Sequence, residues 1–204
     1  MTRETSGADF TVLQRLLHWL MAVCILAMLF IGVGMVSTIM PKYVPLLATH
    51  KTLGIAILVL VLVRIAVRLR AGTPPLPVDL PPPMRLAARL SHVALYALML
   101  AMPLIGWAML SAGGYPVVLL WGIQLPPIAP ASAGLHALLW TAHQYLAFAF
   151  FALILLHLAA GLFHALVRRD GVFESMTGGT AHRGTGRGGT GRGGTGWGGN
   201  APAE

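Results

Sequence analysis

Residues 137–167 read ALLWTAHQYLAFAFFALILLHLAAGLFHALV, an apolar stretch in which His143 and His157 lie 14 residues apart. In an α-helix, 14 residues turn through about 1400°, which is about 40° short of four full turns, so both imidazoles face one side. They are separated by about 21 Å along the axis, whereas the hydrocarbon core of a bilayer is about 30 Å thick. This helix is therefore expected to offer one imidazole near each face of a membrane.

The rest of the chain is apolar enough to surround such a helix with others. Of its 204 residues 56% are hydrophobic and 10% are charged, and the mean hydropathy is +0.76. This composition excludes an ordinary soluble domain. Stretches of about 20 apolar residues, the length that a helix needs to cross, are predicted at about 14–36, 50–68, 89–111 and 137–167. We therefore predict an all-α protein, a four-helix transmembrane bundle.

Basic residues are concentrated on one side of the predicted spans. Twelve arginines lie before or near the start of the first span, in the region 64–89 where the second span ends and the third begins, and after the fourth span, whereas the opposite side carries only Lys42 and Lys51. Positively charged loops stay in the cytoplasm, so both termini are predicted to be cytoplasmic. The pI of about 10.8 is then explained by the arginines on the cytoplasmic side of the membrane. Membrane lipid is an expected partner, and nucleic acid is not.

Four histidines inside or at the ends of the apolar segments are candidate ligands: His18, His50, His143 and His157. Ionisable groups in a bilayer are costly and usually functional, and neutral imidazole is a common ligand of haem and metal. Together the four predict two iron centres stacked across the membrane. Spacing alone leaves the partner of His18 open among His157, His164 and His92.

The absence of other ligand types narrows the choice of cofactor. Cys24 is the only cysteine, so there is neither a C-x-x-C-H attachment site nor a set of thiolates for an iron–sulfur cluster. No Asp or Glu lies in any predicted span, which argues against a carboxylate metal cage. Non-covalent haem fits best. Arg64, 14 residues after His50, is a candidate partner for haem propionates, with pairing to lipid headgroups as the alternative.

Five motifs carry a resemblance to a known family: Gln14-Arg15-Leu16-Leu17-His18-Trp19, His50-Lys51-Thr52-Leu53-Gly54 leading to Val63-Arg64, Thr73-Pro74-Pro75, Met102-Pro103-Leu104-Ile105-Gly106, and the His143/His157 pair. On these motifs the chain resembles the bacterial cytochrome b561 family, which is related to the dihaem cytochrome b subunits of formate dehydrogenases and nickel–iron hydrogenases. The resemblance covers roughly residues 10–176. It implies a bundle that holds two b-type haems.

The resemblance also implies how the histidines pair. It implies that His18 and His157 bind a cytoplasmic haem, and that His50 and His143 bind an outer haem, each through two axial imidazoles. His92 and His164 then become candidates for contacts outside the iron. Of these, His92 is the better candidate for bonding a propionate or lying near a quinone.

Two axial imidazoles leave no open iron position, which suits electron transfer. The resemblance implies quinone as a partner, and a periplasmic donor such as superoxide is expected to supply the outer haem. One alternative is a cytochrome b anchor subunit of a larger dehydrogenase or hydrogenase. Another is a transporter or structural membrane protein without haem, which the lack of inverted repeats and of acidic intramembrane residues disfavours.

The chain is expected to divide at about residue 176. Residues 1–176 form the predicted four-span cytochrome b domain. From residue 177 to residue 204 the sequence turns into Gly-, Arg- and Thr-rich repeats, which have too few apolar residues to form a core and are expected to be disordered.

Overall fold

The structure, a computed structural model, describes residues 10–37, 41–75 and 80–178. Four long apolar helices dominate it: α1 (Val12–Val36), α2 (Tyr43–Ala71), α3 (Pro82–Ala112) and α4 (Ala133–Phe163), the last continued by a π-helical turn over His164–Arg168. Each is long and apolar enough to cross a membrane. The predicted all-α four-helix transmembrane bundle is confirmed. The helices extend beyond the predicted spans at most ends. Of the tail predicted at 177–204, residues 179–204 lie outside the described residues.

Successive helices run in opposite directions and pack side by side, α1 on α2, α2 on α3 and α3 on α4. One end of the bundle carries Arg15, Arg68, Arg70, Arg85, Arg89 and Arg168, and we call it the arginine-rich end. The other end carries the start of α2, the end of α3 and the start of α4, and we call it the loop end. Most large apolar side chains point outward, as expected where the surroundings are lipid.

The buried core is a thin layer at mid-height, to which each long helix contributes one side chain: Met21, Val61, Met99 and Phe150. Val61 has no exposed surface. Phe150 lies seven residues after His143 and seven before His157, so it occupies the middle of the segment that separates those histidines. An apolar layer therefore divides the interior into two halves.

The start of α1 is fixed both locally and to α2. The Thr11 hydroxyl accepts a hydrogen bond from the backbone of Gln14, and the Gln14 side chain accepts one from the backbone of Thr11, a capping box that satisfies two backbone donors. The Gln14 amide then donates to the carbonyl of Gly72 at 2.8 Å. Gly72 ends α2 with a φ of 74°, a conformation that glycine adopts without strain. These contacts set the height of α1 against α2.

The segment between α3 and α4 contains a small antiparallel hairpin. Its strands are β1 (Val117–Val118) and β2 (Gln124–Leu125), with Val117 opposite Leu125. A single turn of 3₁₀-helix over Leu120–Gly122 joins them, and Trp121 within it has a φ of 66° and is 89% exposed. Strands of two residues carry no readable alternation, so nothing in the sequence predicts this hairpin.

Side chains of α2 and α3 hold this hairpin segment. The backbone N–H of Leu120 donates to the Thr52 hydroxyl at 2.9 Å, and the Trp107 indole donates to the carbonyl of Pro126 at 2.9 Å. Ser111 accepts from the backbone of Ile128 at 3.1 Å. Thr52 and Trp107 lie inward of the ends of their helices, so the segment folds back along the side of the bundle.

After α4 the chain reverses direction. In the π-helical turn the backbone N–H of Arg169 donates to the carbonyl of His164 at 2.7 Å. Arg169 has a φ of 51° and Gly171 a φ of 80°, which together turn the chain into the short helix α5 (Val172–Thr177). The Trp19 indole donates to the carbonyl of Met176 at 2.9 Å, so α5 is fastened to α1 at the arginine-rich end.

Candidate metal and cofactor site

Two pairs of histidines face each other across the bundle, one in each half. At the loop end, His50 of α2 and His143 of α4 have ring centroids 6.2 Å apart and planes inclined at 67°. At the arginine-rich end, His18 of α1 and His157 of α4 have centroids 6.3 Å apart and planes inclined at 73°. The structure thus brings together the four predicted ligands in two pairs, one on each side of the apolar layer.

These distances fit a metal held between two imidazoles. A metal–imidazole bond is about 2.0 Å long and a ring nitrogen lies about 1.1 Å from the ring centroid, so two imidazoles on opposite sides of one ion have centroids about 6.2 Å apart. Both observed separations agree with this value. Groups of three or more His, Cys, Asp or Glu suited to a bare metal ion do not occur within the described ranges. The pairs therefore fit a cofactor that brings its own remaining ligands, as haem does.

The loop-end pair has unsatisfied nitrogens. The Nδ1 atoms of His50 and His143 are both buried and have no hydrogen-bond partner among the described residues. A buried polar atom left unpaired costs about 1–3 kcal/mol, so the two Nδ1 atoms are an uncompensated cost at this level of the apolar bundle. The donor chemistry of this pair is that of axial haem ligation.

Gly106 of α3 makes room for His143. A Cβ atom at position 106 would lie 3.3 Å from Cε1 of His143, closer than most side-chain contacts. Glycine here lets α3 and α4 approach each other at the level of the imidazole. The Met102–Gly106 motif of the sequence therefore has a steric role in this half of the bundle.

Arg64 is the charged group nearest the arginine-rich pair. Its Nε donates to the Tyr96 hydroxyl at 2.9 Å, and its Nη2 lies 3.2 Å from Nδ1 of His18. Its Nη1 is buried with no hydrogen-bond partner among the described residues. A buried guanidinium with one unused nitrogen is suited to an anion such as a carboxylate. Arg68 also lies near this group, with its guanidinium carbon 5.5 Å from the Tyr96 ring centroid.

The other two histidines of this half lie in different places. His92 of α3 is exposed, its ring centroid is 5.5 Å from that of His157, and its Nδ1 bonds the Ala88 carbonyl at 2.6 Å. His164 lies beyond His157 and bonds a carboxylate instead. Of the three partners that spacing left open for His18, the structure places His157 directly opposite it.

His164 belongs to a polar cluster at the end of α4. Its Nδ1 lies 2.8 Å from Oδ2 of Asp170, and Nε of Arg168 donates to the same oxygen at 2.8 Å. The Asp170 side chain is only 9% exposed. Burial acts to raise the pKa of the Asp170 carboxyl, but hydrogen bonds from Arg168 and His164 outweigh it and hold that pKa below its ordinary value.

Sequence reasoning missed the roles of Tyr96 and Asp170. Tyr96 lies four residues after His92, on the same helix face, and an aromatic hydroxyl in an apolar segment was its only signal. Asp170 is one of two acidic residues that closely follow the fourth span, but in a straight helix it would not face His164. Only the π-helical turn brings them together.

The fold and the site define a class of protein, a four-helix membrane bundle with two histidine pairs stacked along its axis. The family model of prokaryotic cytochrome b561 matches residues 9–179, and the chain belongs to this family. It is accordingly a multi-pass membrane protein, a b-type cytochrome that binds haem and serves electron transfer.

Three relatives illustrate the likeness. The chain is 30% identical to cytochrome b561 homolog 2 of Escherichia coli K12 over 182 residues, which is 87% of this chain and 96% of the relative. It is 29% identical to cytochrome b561 homolog 1 of the same organism over 176 residues, covering 82% and 96%. It is 34% identical to the probable superoxide oxidase CybB of Yersinia pestis over 128 residues, covering 62% and 72%.

Deleting residues 179–204 is expected to leave haem content unchanged. The family match ends at residue 179, and every histidine and arginine of the candidate site precedes it. The absorbance ratio of haem to protein after purification measures this directly. A truncated protein that purifies in normal yield but with less haem would contradict the expectation.

Proposed function

We propose that the protein carries electrons between a periplasmic donor and quinone through two b-type haems in the bacterial inner membrane. The single observation that supports this most is the pair of facing imidazoles on each side of the apolar layer, 6.2 Å and 6.3 Å between centroids. When bound, two such haems supply one-electron storage at two heights in the membrane.

The four histidines have the role of axial ligands in this proposal. His50 and His143 would hold one haem at the loop end, and His18 and His157 would hold the other at the arginine-rich end. An iron held by two imidazoles would have no position left for oxygen or substrate. The protein therefore passes electrons on and does not bind a substrate at iron.

Arg64 would hold the acidic groups of a haem at the arginine-rich end. A guanidinium only donates hydrogen bonds, so in its present contact Nδ1 of His18 is the acceptor. Ligation through Nε2 requires the proton to lie on Nδ1, so Arg64 has to leave this nitrogen when His18 binds metal. Its donors, including the buried Nη1, then serve a propionate. Exposed His92 is a second candidate for this contact.

The apolar layer keeps the two haem compartments apart and dry. Met21, Val61, Met99 and Phe150 carry no hydroxyl, amide or charged group that could hold water or a proton, and the hydroxyl of Tyr96, which packs against them, is taken up by Arg64. Chemistry that consumes protons is therefore assigned to one of the two ends of the bundle.

Charge at the two ends supports an orientation and a kind of donor. The arginine-rich end lies in the cytoplasm by the positive-inside rule. The loop end carries Lys42 and Lys51 but no acidic residue, which favours an anionic donor on the periplasmic side. Superoxide is such an anion: it gives up one electron and leaves as dioxygen. The name of the Yersinia pestis relative is in keeping with this choice.

Chemically reduced protein in detergent is expected to be reoxidised rapidly by a soluble ubiquinone analogue and to bind almost no carbon monoxide. Both results follow from two bis-histidine haems, since electrons can leave but no iron position is open. Absorbance changes in the haem bands measure both reactions in one instrument, after a pyridine assay has counted two non-covalent haems per chain.

The opposite pattern would overturn the proposal. Stoichiometric carbon monoxide binding together with no response to quinone would identify a ligand-binding or oxygen-reducing haem. One haem per chain would remove the two-centre arrangement while leaving the family membership intact.

A further inference from the structure

The polar cluster of His164, Arg168 and Asp170 at the end of α4 has no part in holding the proposed haems, yet an irregular backbone brings its side chains together. Six residues along a straight α-helix would place Asp170 about 120° around the axis from His164. The π-helical turn over His164–Arg168 and the left-handed backbone of Arg169 and Gly171 bring the two side chains to 2.8 Å. Backbone in such conformations tends to persist where function requires it.

The contact sets the protonation pattern of His164. A carboxylate accepts hydrogen bonds only, so Nδ1 of His164 carries the proton and Nε2 is left as the second ring nitrogen. No hydrogen bond to Nε2 occurs within the described ranges. Because the pKa of Asp170 lies below its ordinary value, its carboxyl remains ionised at neutral pH. A histidine held by an ionised carboxylate in this way can accept a proton on Nε2 and pass it on.

The position of the pair lies between lipid and water. His164 is seven residues beyond His157, about 10.5 Å along the axis toward the arginine-rich end. Around it α4 presents Phe163, Leu166 and Val167 to the lipid, 41%, 66% and 68% exposed. Its own side chain is 14% exposed, and the Phe163 ring lies 6.1 Å from its ring. Apolar side chains that lipid would cover therefore surround an imidazole that is itself partly accessible.

We infer that His164 and Asp170 form a proton-transfer pair that protonates quinone at the arginine-rich end. This rests on the proposed quinone function. Reduction of one quinone to quinol takes two electrons, delivered singly by the reduced protein, and two protons, which His164 passes from Nε2 to the quinone oxygens. Each time, Nε2 regains its proton from the cytoplasmic water, while the Asp170 carboxylate keeps the ring oriented through the proton on Nδ1.

The surroundings of the pair favour this assignment over a purely structural ion pair. Arg168 already neutralises the Asp170 charge, so the fold does not need His164 as a counter-ion. Trp19 holds α5 in place by a separate bond to the Met176 carbonyl. On α5, Glu174 has a buried Oε2 with no hydrogen-bond partner among the described residues, which adds a second carboxyl group to this end.

The test compares an acceptor that takes up protons with one that does not. Wild-type protein and the His164→Gln, Asp170→Asn and His136→Gln variants are reduced chemically and mixed with a ubiquinone analogue or with ferricyanide. His136 is a matched control, because its Nδ1 also bonds an oxygen, the Met109 carbonyl at 2.8 Å, but at the loop end.

His164→Gln is expected to slow reoxidation by quinone about 100-fold, the size of effect that general acid catalysis has in enzymes. Asp170→Asn slows it less, and His136→Gln does not slow it. Oxidation by ferricyanide stays unchanged in all four proteins. Proton uptake, followed with an indicator dye in weakly buffered solution, slows in parallel with the quinone reaction. Added imidazole restores part of the rate to His164→Gln.

The possible failures separate cleanly. If wild-type protein does not react with quinone, the proposed function falls. If it reacts and both His164→Gln and Asp170→Asn match it, the proton-transfer pair is refuted while the quinone function stands. If His164→Gln loses haem, the rate of quinone reduction by Asp170→Asn becomes the test of the proton-transfer pair. Equal slowing of the reactions with quinone and with ferricyanide would show that the pair has a structural role instead.

Discussion

Replacing His143 with Ala is expected to halve the haem content of the purified protein. The loop-end pair would keep only His50, and one imidazole in a bundle of low polarity does not hold a haem that two are built to hold. The pair of His18 and His157 lies beyond the apolar layer and is untouched, so one low-spin haem remains. The pyridine assay gives the stoichiometry, and the redox titration changes from two components to one.

Two substitutions on the same helix serve as controls. Gln144→Ala changes the exposed neighbour of His143, and His164→Ala removes a histidine that faces Asp170; both are expected to keep two haems. Loss of a haem from His164→Ala but not from His157→Ala would mean that the arginine-rich pair is assigned wrongly.

Gly106→Leu is expected to remove the loop-end haem as well, although the substitution changes neither His50 nor His143. Even a Cβ atom at this position would lie 3.3 Å from the His143 ring, and the rest of a leucine side chain has to displace that ring or separate α3 from α4. Overpacking of this kind costs about 1–3 kcal/mol, and an axial ligand tolerates little displacement. The readout is again haem stoichiometry, with the band of the remaining low-spin haem as internal reference.

Gly134→Leu is the matched control, because a Cβ atom at Gly134 of α4 would meet nothing within 4 Å. It is expected to retain both haems. Gly106→Ala should fall between the two, since His143 then needs to yield by only a few tenths of an ångström. Full haem content in Gly106→Leu would show that α3 does not determine where His143 lies.

The bundle could be predicted from the sequence because its governing signals are long and redundant. Apolar length, arginine placement and helical spacing each indicate the same four helices. The structure contains features that the sequence did not predict where a few individual contacts determine the path of the chain. The hairpin depends on Thr52 and Trp107, which are distant in sequence from it, and the reversal after α4 depends on the backbone of Arg169. Neither leaves a periodic pattern.

The candidate site shows the same division. Helical spacing predicted that His143 and His157 share a face, because both lie on one helix. It did not choose among the partners of His18, since that choice depends on how α1 sits against α4. The Thr11–Gln14 capping box and the bond from Gln14 to Gly72 fix the height of α1, and such cross-helix contacts are not visible in a single segment. The ligand roles themselves stay predictions that the haem measurements test.

The hairpin between α3 and α4 bears on the order in which the chain assembles. Its backbone groups are satisfied by Thr52 of α2 and by Trp107 and Ser111 of α3, side chains that lie close together only after those two helices have associated. Unpaired backbone is costly next to lipid. We therefore expect the segment to adopt its fold late, after α2 and α3 have packed together. On this order α4, which carries His143 and His157, is the last long helix to join the bundle. If His50 and His143 bind haem as proposed, their site is complete only after α4 has joined the bundle, so haem cannot be held there before all four long helices are in place.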